Sequence, residues 1–244
     1  MRIIPRMELA QRLIVALDVN SRESALKLVA ALRPRVARFK VGLELFTACG
    51  PSLVREIQGA GGQVFLDLKF HDIPNTVARA SVEAARLGVG AVTLHLSGGA
   101  MMARRAVDEV EAHCQIHRLP KPQIFGVTVL TSLVREDLDQ VGVARDVEEQ
   151  VLALAGLARG AGLDGIVASP REVVAVRRAC GADLLIATPG IRLPEAEPDD
   201  QERTMTPREA IAAGADLLVV GRPILKARDP LEAAEAILLQ MGGA

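Results

Sequence analysis

Eight short apolar runs, separated by stretches able to form helices, constrain this 244-residue chain more than any other feature. They are Leu13–Val19, Arg38–Leu43, Gln63–Phe70, Ala91–Leu96, Gln123–Leu130, Gly165–Ser169, Asp183–Thr188 and Asp216–Val220. Runs so short and so evenly apolar suit strands buried on both faces, which is the pattern of a parallel sheet. The intervening stretches include Ser21–Leu32, Asn75–Leu87, Ala100–His113, Val147–Arg159 and Pro230–Gln240. Five runs share a lead-in of glycine followed by one or two small or acidic residues, at Gly61, Gly88, Gly162, Gly181 and Gly214. Glycine just past a helix adopts the left-handed conformation that ends it. The pentapeptide Gly-Ala-Asp-Leu-Leu occurs at both 181–185 and 214–218, one βα unit apart. Eight such units in about 240 residues fit a closed (β/α)8 barrel of the TIM type better than an open doubly wound sheet. No linker interrupts the pattern, so one domain is expected over 1–244, with 1–12 as an N-terminal extension.

Composition removes several function classes. Lys and Arg (29) nearly balance Asp and Glu (30), leaving a net charge of −1 and no basic block. With five Phe and no Trp or Tyr, neither a basic face nor stacking platforms for nucleic acid are evident. No apolar run approaches a membrane span, and the first residues lack the long apolar segment of a signal peptide. Cys49, Cys114 and Cys180 are odd in number and widely spaced, so no disulfide framework is implied. A cytoplasmic protein is expected.

The stretch Phe65-Leu66-Asp67-Leu68-Lys69-Phe70-His71-Asp72-Ile73-Pro74-Asn75-Thr76 places three charges within six residues of an otherwise buried strand and its exit. Strand alternation sends Asp67 and Lys69 to one face and Leu66, Leu68 and Phe70 to the other. Asp72 falls where the strand must end, because Ile73 precedes Pro74 and is steered away from helix. Such a cluster is costly to desolvate unless its charges compensate. Two readings fit: a structural ion pair at a strand end, or an ammonium held between carboxylates in a site.

In a (β/α)8 barrel the chemistry sits where strands end and βα loops begin. Asp18, Lys40, Asp67 with Lys69, His95 with Ser97, Thr131 with Ser132, and Gly221 with Arg222 all fall at or near such ends. Asp18 precedes Asn20 and Ser21, either of which could cap the first helix. The last two βα loops of such barrels often hold phosphate, and here they offer Pro189-Gly190-Ile191-Arg192 and Gly221-Arg222-Pro223. Arginine adds a charge-assisted fork, so a phosphorylated substrate is the expectation, with ordinary surface arginines as the alternative. Residues 191–206 include a polar segment without apolar periodicity, longer than most βα loops, and read as a lid closing on the phosphate. His113 and His117 stand four apart, a spacing that could serve a metal, but no third ligand is obvious.

The run from Phe65 to Val77 resembles the signature of the orotidine 5′-phosphate decarboxylase family, prokaryotic type. Val15–Asp18, Phe39–Gly42, Val127–Ser132, Thr188–Arg192 and Val219–Ile224 resemble further segments of that family, in its order. The resemblance implies a carboxy-lyase of de novo UMP synthesis, a homodimer of (β/α)8 barrels working without cofactor or metal. It implies Lys69 as proton donor, Asp67 beside the scissile carboxylate, Lys40 holding the network and touching ribose, and Asp18 on a ribose hydroxyl. Asp72, Ile73 and Thr76 would be lent to the partner's site, making the active sites shared. Thr131 and Ser132 would meet the pyrimidine, and Gln201 would bridge base and phosphate from the lid. Pro189, Arg192, Gly221 and Arg222 would hold the phosphate end. Two other readings stay open: a Mg²⁺-dependent sugar-phosphate decarboxylase or synthase of the same superfamily, against which Lys40 argues, and a phosphate-binding barrel without catalysis.

Overall fold

A computed structural model describes residues 9–193 and 204–242. Eight parallel strands close a barrel in sequence order: β1 (Leu13–Ala16), β2 (Arg38–Gly42), β3 (Gln63–Phe70), β4 (Ala91–His95), β5 (Gln123–Val127), β6 (Gly165–Val167), β7 (Leu185–Thr188) and β8 (Leu217–Val220). β1 pairs with both β2 and β8, which closes the ring.

Alternation splits the strand residues into two apolar clusters. Val15, Val64, Leu66, Val92, Ile124, Ile186 and Leu218 join helical residues such as Val29 and Ala106 in the larger core outside the barrel. Ile14, Phe65, Ala91, Phe125, Leu185 and Leu217 form a separate cluster inside it, with the Phe65 and Phe125 rings 5.2 Å apart. Most strands are thereby dry on both faces, which is why the runs read as largely apolar. β2 departs from this, with Arg38 and Lys40 partly buried on the face opposite Phe39 and Val41. Truncating so buried an aromatic costs about 3–5 kcal/mol.

The glycine lead-ins behave as their position predicts. Gly61, Gly88, Gly162, Gly181 and Gly214 all have positive φ. Two of the acids that follow have a structural task at the lower rim. Asp164 Oδ2 accepts the Ile124 amide at 2.9 Å, and Asp216 Oδ2 accepts the Ile186 amide at 2.8 Å, each at the entry of a neighbouring strand. Asp183 and Asp216 therefore precede β7 and β8 instead of belonging to them.

Helix starts follow local chemistry. Ser21 caps the helix Arg22–Leu32 by accepting from Ser24 N, which leaves Asp18 without that duty. Ile73 is extended (ψ 152°) and the helix Pro74–Arg86 begins at the proline, whose missing N–H costs nothing there. Strands β1 and β5 end earlier than their apolar runs, at Ala16 and Val127, because neighbour pairing stops there and the remaining residues become the upper loops. The helix from Ala100 continues to His117, so His113 and His117 share it; their rings lie 4.2 Å apart on the surface. Among the described residues, no group of three or more His, Cys, Asp or Glu side chains is placed to hold a metal. Nor is any described helix long and apolar enough to cross a membrane.

Candidate active site

A cavity of about 250 Å³ opens at the C-terminal ends of the strands. Asp18, Lys40, Asp67 and Lys69 line it from β1, β2 and β3 and the loop after β1. Thr131, Pro189, Gly190, Arg192, Gly221 and Arg222 line it from the loops after β5, β7 and β8. Between these polar groups lie Ala16, Phe65, Val127, Val129, Val167 and Val219.

The charged wall is an alternating chain. Lys40 Nζ stands 3.1 Å from Asp18 Oδ1 and 3.5 Å from Asp67 Oδ2, and the same Asp67 oxygen is 2.9 Å from Lys69 Nζ. Asp67 is buried, Lys40 nearly so, and Asp18 half open to solvent. Burial alone would raise the Asp67 pKa. Lys40, Lys69 and hydrogen bonds from Lys69 and Thr93 outweigh it and hold the carboxyl below its usual range. The carboxylate is thus ionised, and its desolvation is offset by the two ammonium groups.

Local backbone sets this geometry. The register between β3 and β4 shifts between Leu66 and Phe70, and Lys69 inside that bulge has φ 50°, in the left-handed region. A non-glycine residue there is strained and persists only where its surroundings compensate. The compensation is visible: the Lys69 amide, displaced from the strand ladder, donates to Thr93 Oγ1 at 2.9 Å. Gly221 matters on the opposite side, since a Cβ there would meet Asp18 Oδ2 at 3.2 Å and narrow the mouth.

His95 ends β4 with its ring 5.6 Å from that of His71. Burial, then His71 and Lys69, lowers its pKa against a smaller opposing effect of Asp67, so it favours the neutral form.

Not every expected residue joins the cavity. Ser132 is exposed and does not line it, whereas its neighbour Thr131 does. Asp72, Ile73 and Thr76 are exposed beyond the end of β3. Asp72 accepts the Ile73 amide at 2.6 Å and forms no ion pair with Lys69 within the described chain, so Asp67 alone flanks that lysine here. Gln201 lies outside the described residues, as does 194–203 of the expected lid. The two stems of that loop are joined by an Ile191–Met205 bridge, with Arg192 N donating to Met205 O at 3.0 Å and Met205 N to Gly190 O at 3.2 Å. Sequence reasoning overlooked Thr93. Its one signal was a hydroxyl on the inward side of an apolar strand, at the spacing Ala91, Thr93, His95.

Residues 11–237 match the model of the orotidine 5′-phosphate decarboxylase / HUMPS family. The chain belongs to that family. A relative from Syntrophotalea carbinolica named orotidine 5′-phosphate decarboxylase is 55% identical over 238 residues, 98% of either chain. One of the same name from Moorella thermoacetica is 52% identical, covering 97% of this chain and 94% of its own. The crystal structure of orotidine 5′-phosphate decarboxylase from Lactobacillus acidophilus superposes with a TM-score of 0.85 at 37% identity, over 96% of this chain and all of that one.

Proposed function

We propose that this protein converts orotidine 5′-phosphate to UMP and CO2 in pyrimidine biosynthesis, and that it does so in the cytoplasm as a homodimer. Relatives bearing that activity in their names, at 52–55% identity over nearly the whole chain, support the reaction. The single observation that carries the reading is one buried carboxylate, Asp67, shared by Lys40 and Lys69 on the wall of a cavity that also reaches Arg192 and Arg222.

Breaking the C6–carboxylate bond leaves its electron pair on C6, in an orbital the pyrimidine ring delocalises poorly. The remaining means are a preorganised positive charge at that carbon and a proton to quench it. Lys69 supplies both: its ammonium faces the developing carbanion and transfers a proton to C6 as CO2 leaves. Asp67 aims that ammonium, and Lys40 keeps the Asp67 charge balanced once Lys69 has given up its proton. The apolar side chains among the charges exclude water and strengthen every electrostatic contact. Asp18 and Lys40 take the ribose hydroxyls and Thr131 the base. Arg222, Arg192 and the Gly190 and Gly221 backbone take the phosphate, and Gln201 bridges phosphate and base. Phosphate binding energy is then used at the distant ring.

The pairing of two barrels is supported by apolar side chains left in solvent. Leu43 (56% exposed), Ile73 (67%) and Met101 (75%) follow the adjacent strands β2, β3 and β4, and Ile73 is the chain neighbour of Asp72. In the dimer, Asp72, Ile73 and Thr76 complete the site of the partner.

The deciding experiment is the conversion of orotidylate to UMP by purified protein in excess EDTA, followed by the loss of substrate absorbance. Full activity is expected. Activity that needs Mg²⁺, or turnover only of sugar phosphates, would overturn the reading.

A further inference from the structure

The Thr93 hydroxyl joins the two parts of the site that matter most for Lys69. Thr93 is fully buried in β4, below the cavity, and does not line it. Its Oγ1 accepts the Lys69 amide at 2.9 Å and lies 2.9 Å from Asp67 Oδ1. The direction of both bonds is forced. An amide N–H can only donate and an ionised carboxylate can only accept, so the single hydroxyl proton points at Asp67.

Two consequences follow. Oδ1 is engaged by Thr93, which fixes the carboxylate plane and leaves Oδ2 for Lys69 and Lys40. The same hydroxyl also satisfies the Lys69 amide at the β3 bulge, where Lys69 holds its strained φ of 50°. Carboxylate orientation and the backbone origin of the lysine are therefore set by one atom.

We propose that Thr93 is a positioning residue of the decarboxylation, acting through Asp67 and Lys69 without touching substrate. The inference rests on the decarboxylase reading for its kinetic consequence, but not for its structural one. Without the hydroxyl, Asp67 turns away from Lys69 and the lysine leaves the left-handed region. A displacement near 1 Å at a reacting group costs up to about 10²-fold in rate.

Thr93→Val keeps the shape and removes the hydroxyl. Its kcat should fall about 10- to 100-fold while its Kd for UMP stays within about threefold, and Thr93→Ser should restore kcat to within about threefold of wild type. Losses confined to Tm, or a kcat within about twofold of wild type, would mean that the hydroxyl only holds the fold. If Thr93→Val fails to fold, Thr93→Ala against Thr93→Ser decides, since both shorten the side chain and differ only in the hydroxyl; equal kcat overturns the proposal. Should no hydroxyl-free variant fold, the role is structural and the proposal falls. A crystal structure of Thr93→Val separates this claim from the assignment of the reaction. Should wild-type protein prove inactive on orotidylate, the reaction assignment fails. The positioning claim would still be read from whether Asp67 Oδ2 and Lys69 Nζ part and the Lys69 φ becomes negative. An unchanged pair would sink it.

Discussion

Lys69 and Asp67, two residues apart on one strand, meet at 2.9 Å from Nζ to Oδ2 even though the strand is distorted at the lysine. Simple alternation would bring the two side chains to one face, but it would not choose which carboxylate oxygen the ammonium takes. The bulge and the Thr93 bond make that choice, and the remaining reach of Oδ2 goes to Lys40 at 3.5 Å.

Removing the ammonium should separate chemistry from binding. Lys69→Ala is expected to lose kcat by roughly 10⁴-fold or more, since proton transfer and charge stabilisation vanish together. UMP should still bind measurably by calorimetry, because the phosphate end is untouched. Substantial residual kcat would remove Lys69 from its role.

The phosphate end should be felt at the ring. Arg222→Ala is expected to raise KM and to lower kcat/KM by about 10- to 100-fold, the worth of a charge-assisted contact of ~1.5–3 kcal/mol. Adding free phosphite to a substrate that lacks the phosphate should speed its decarboxylation by wild-type protein and help the variant less. Unchanged kinetics in Arg222→Ala would place the phosphate elsewhere.

Asp72 offers a test of shared sites. Lys69→Ala and Asp72→Ala homodimers should each be crippled. In a mixed dimer, the site built on the Asp72→Ala chain keeps its own Lys69 and borrows an intact Asp72, while the other site carries both defects. Random pairing makes half the dimers mixed, so co-refolded variants should recover roughly a quarter of wild-type activity. Absence of recovery in dimers verified as mixed would place the function of Asp72 within its own chain.

The acid side of the stability profile should trace in part to His95. Its folded pKa lies below the usual imidazole value near 6.5, chiefly through burial. The unfolded chain therefore takes up the proton first, and this contribution to stability, complete above that value, is lost as pH falls through the folded pKa. His95→Gln should lose less Tm than wild type between about pH 7.5 and about pH 5. Asp67, held below the ordinary carboxylate range, contributes stability that disappears only at still lower pH. Parallel Tm profiles for wild type and His95→Gln would rule out the histidine as the source.

Much of the candidate site was legible because a barrel turns sequence order into spatial order. Asp18, Lys40, Asp67, Lys69, Thr131, Pro189, Arg192, Gly221 and Arg222 all follow or end strands, and parallel closure brings those ends to one mouth. Ser132 was misplaced beside its neighbour because β5 ends at Val127, so the following loop, not strand alternation, decides which of the two faces inward.

What the sequence determined by itself was the alternation of dry strands and helices, the positive-φ glycines that end the helices, and the identity of the charges at the strand ends. These follow from local sterics and from the period of apolar residues, which any short window of the chain carries. The tertiary structure alone decided the register shift between β3 and β4, the left-handed Lys69 and the bonds from Thr93, 24 residues away from Lys69 in sequence. Register between strands is a long-range outcome of how two buried faces interlock, and no spacing within one strand encodes it.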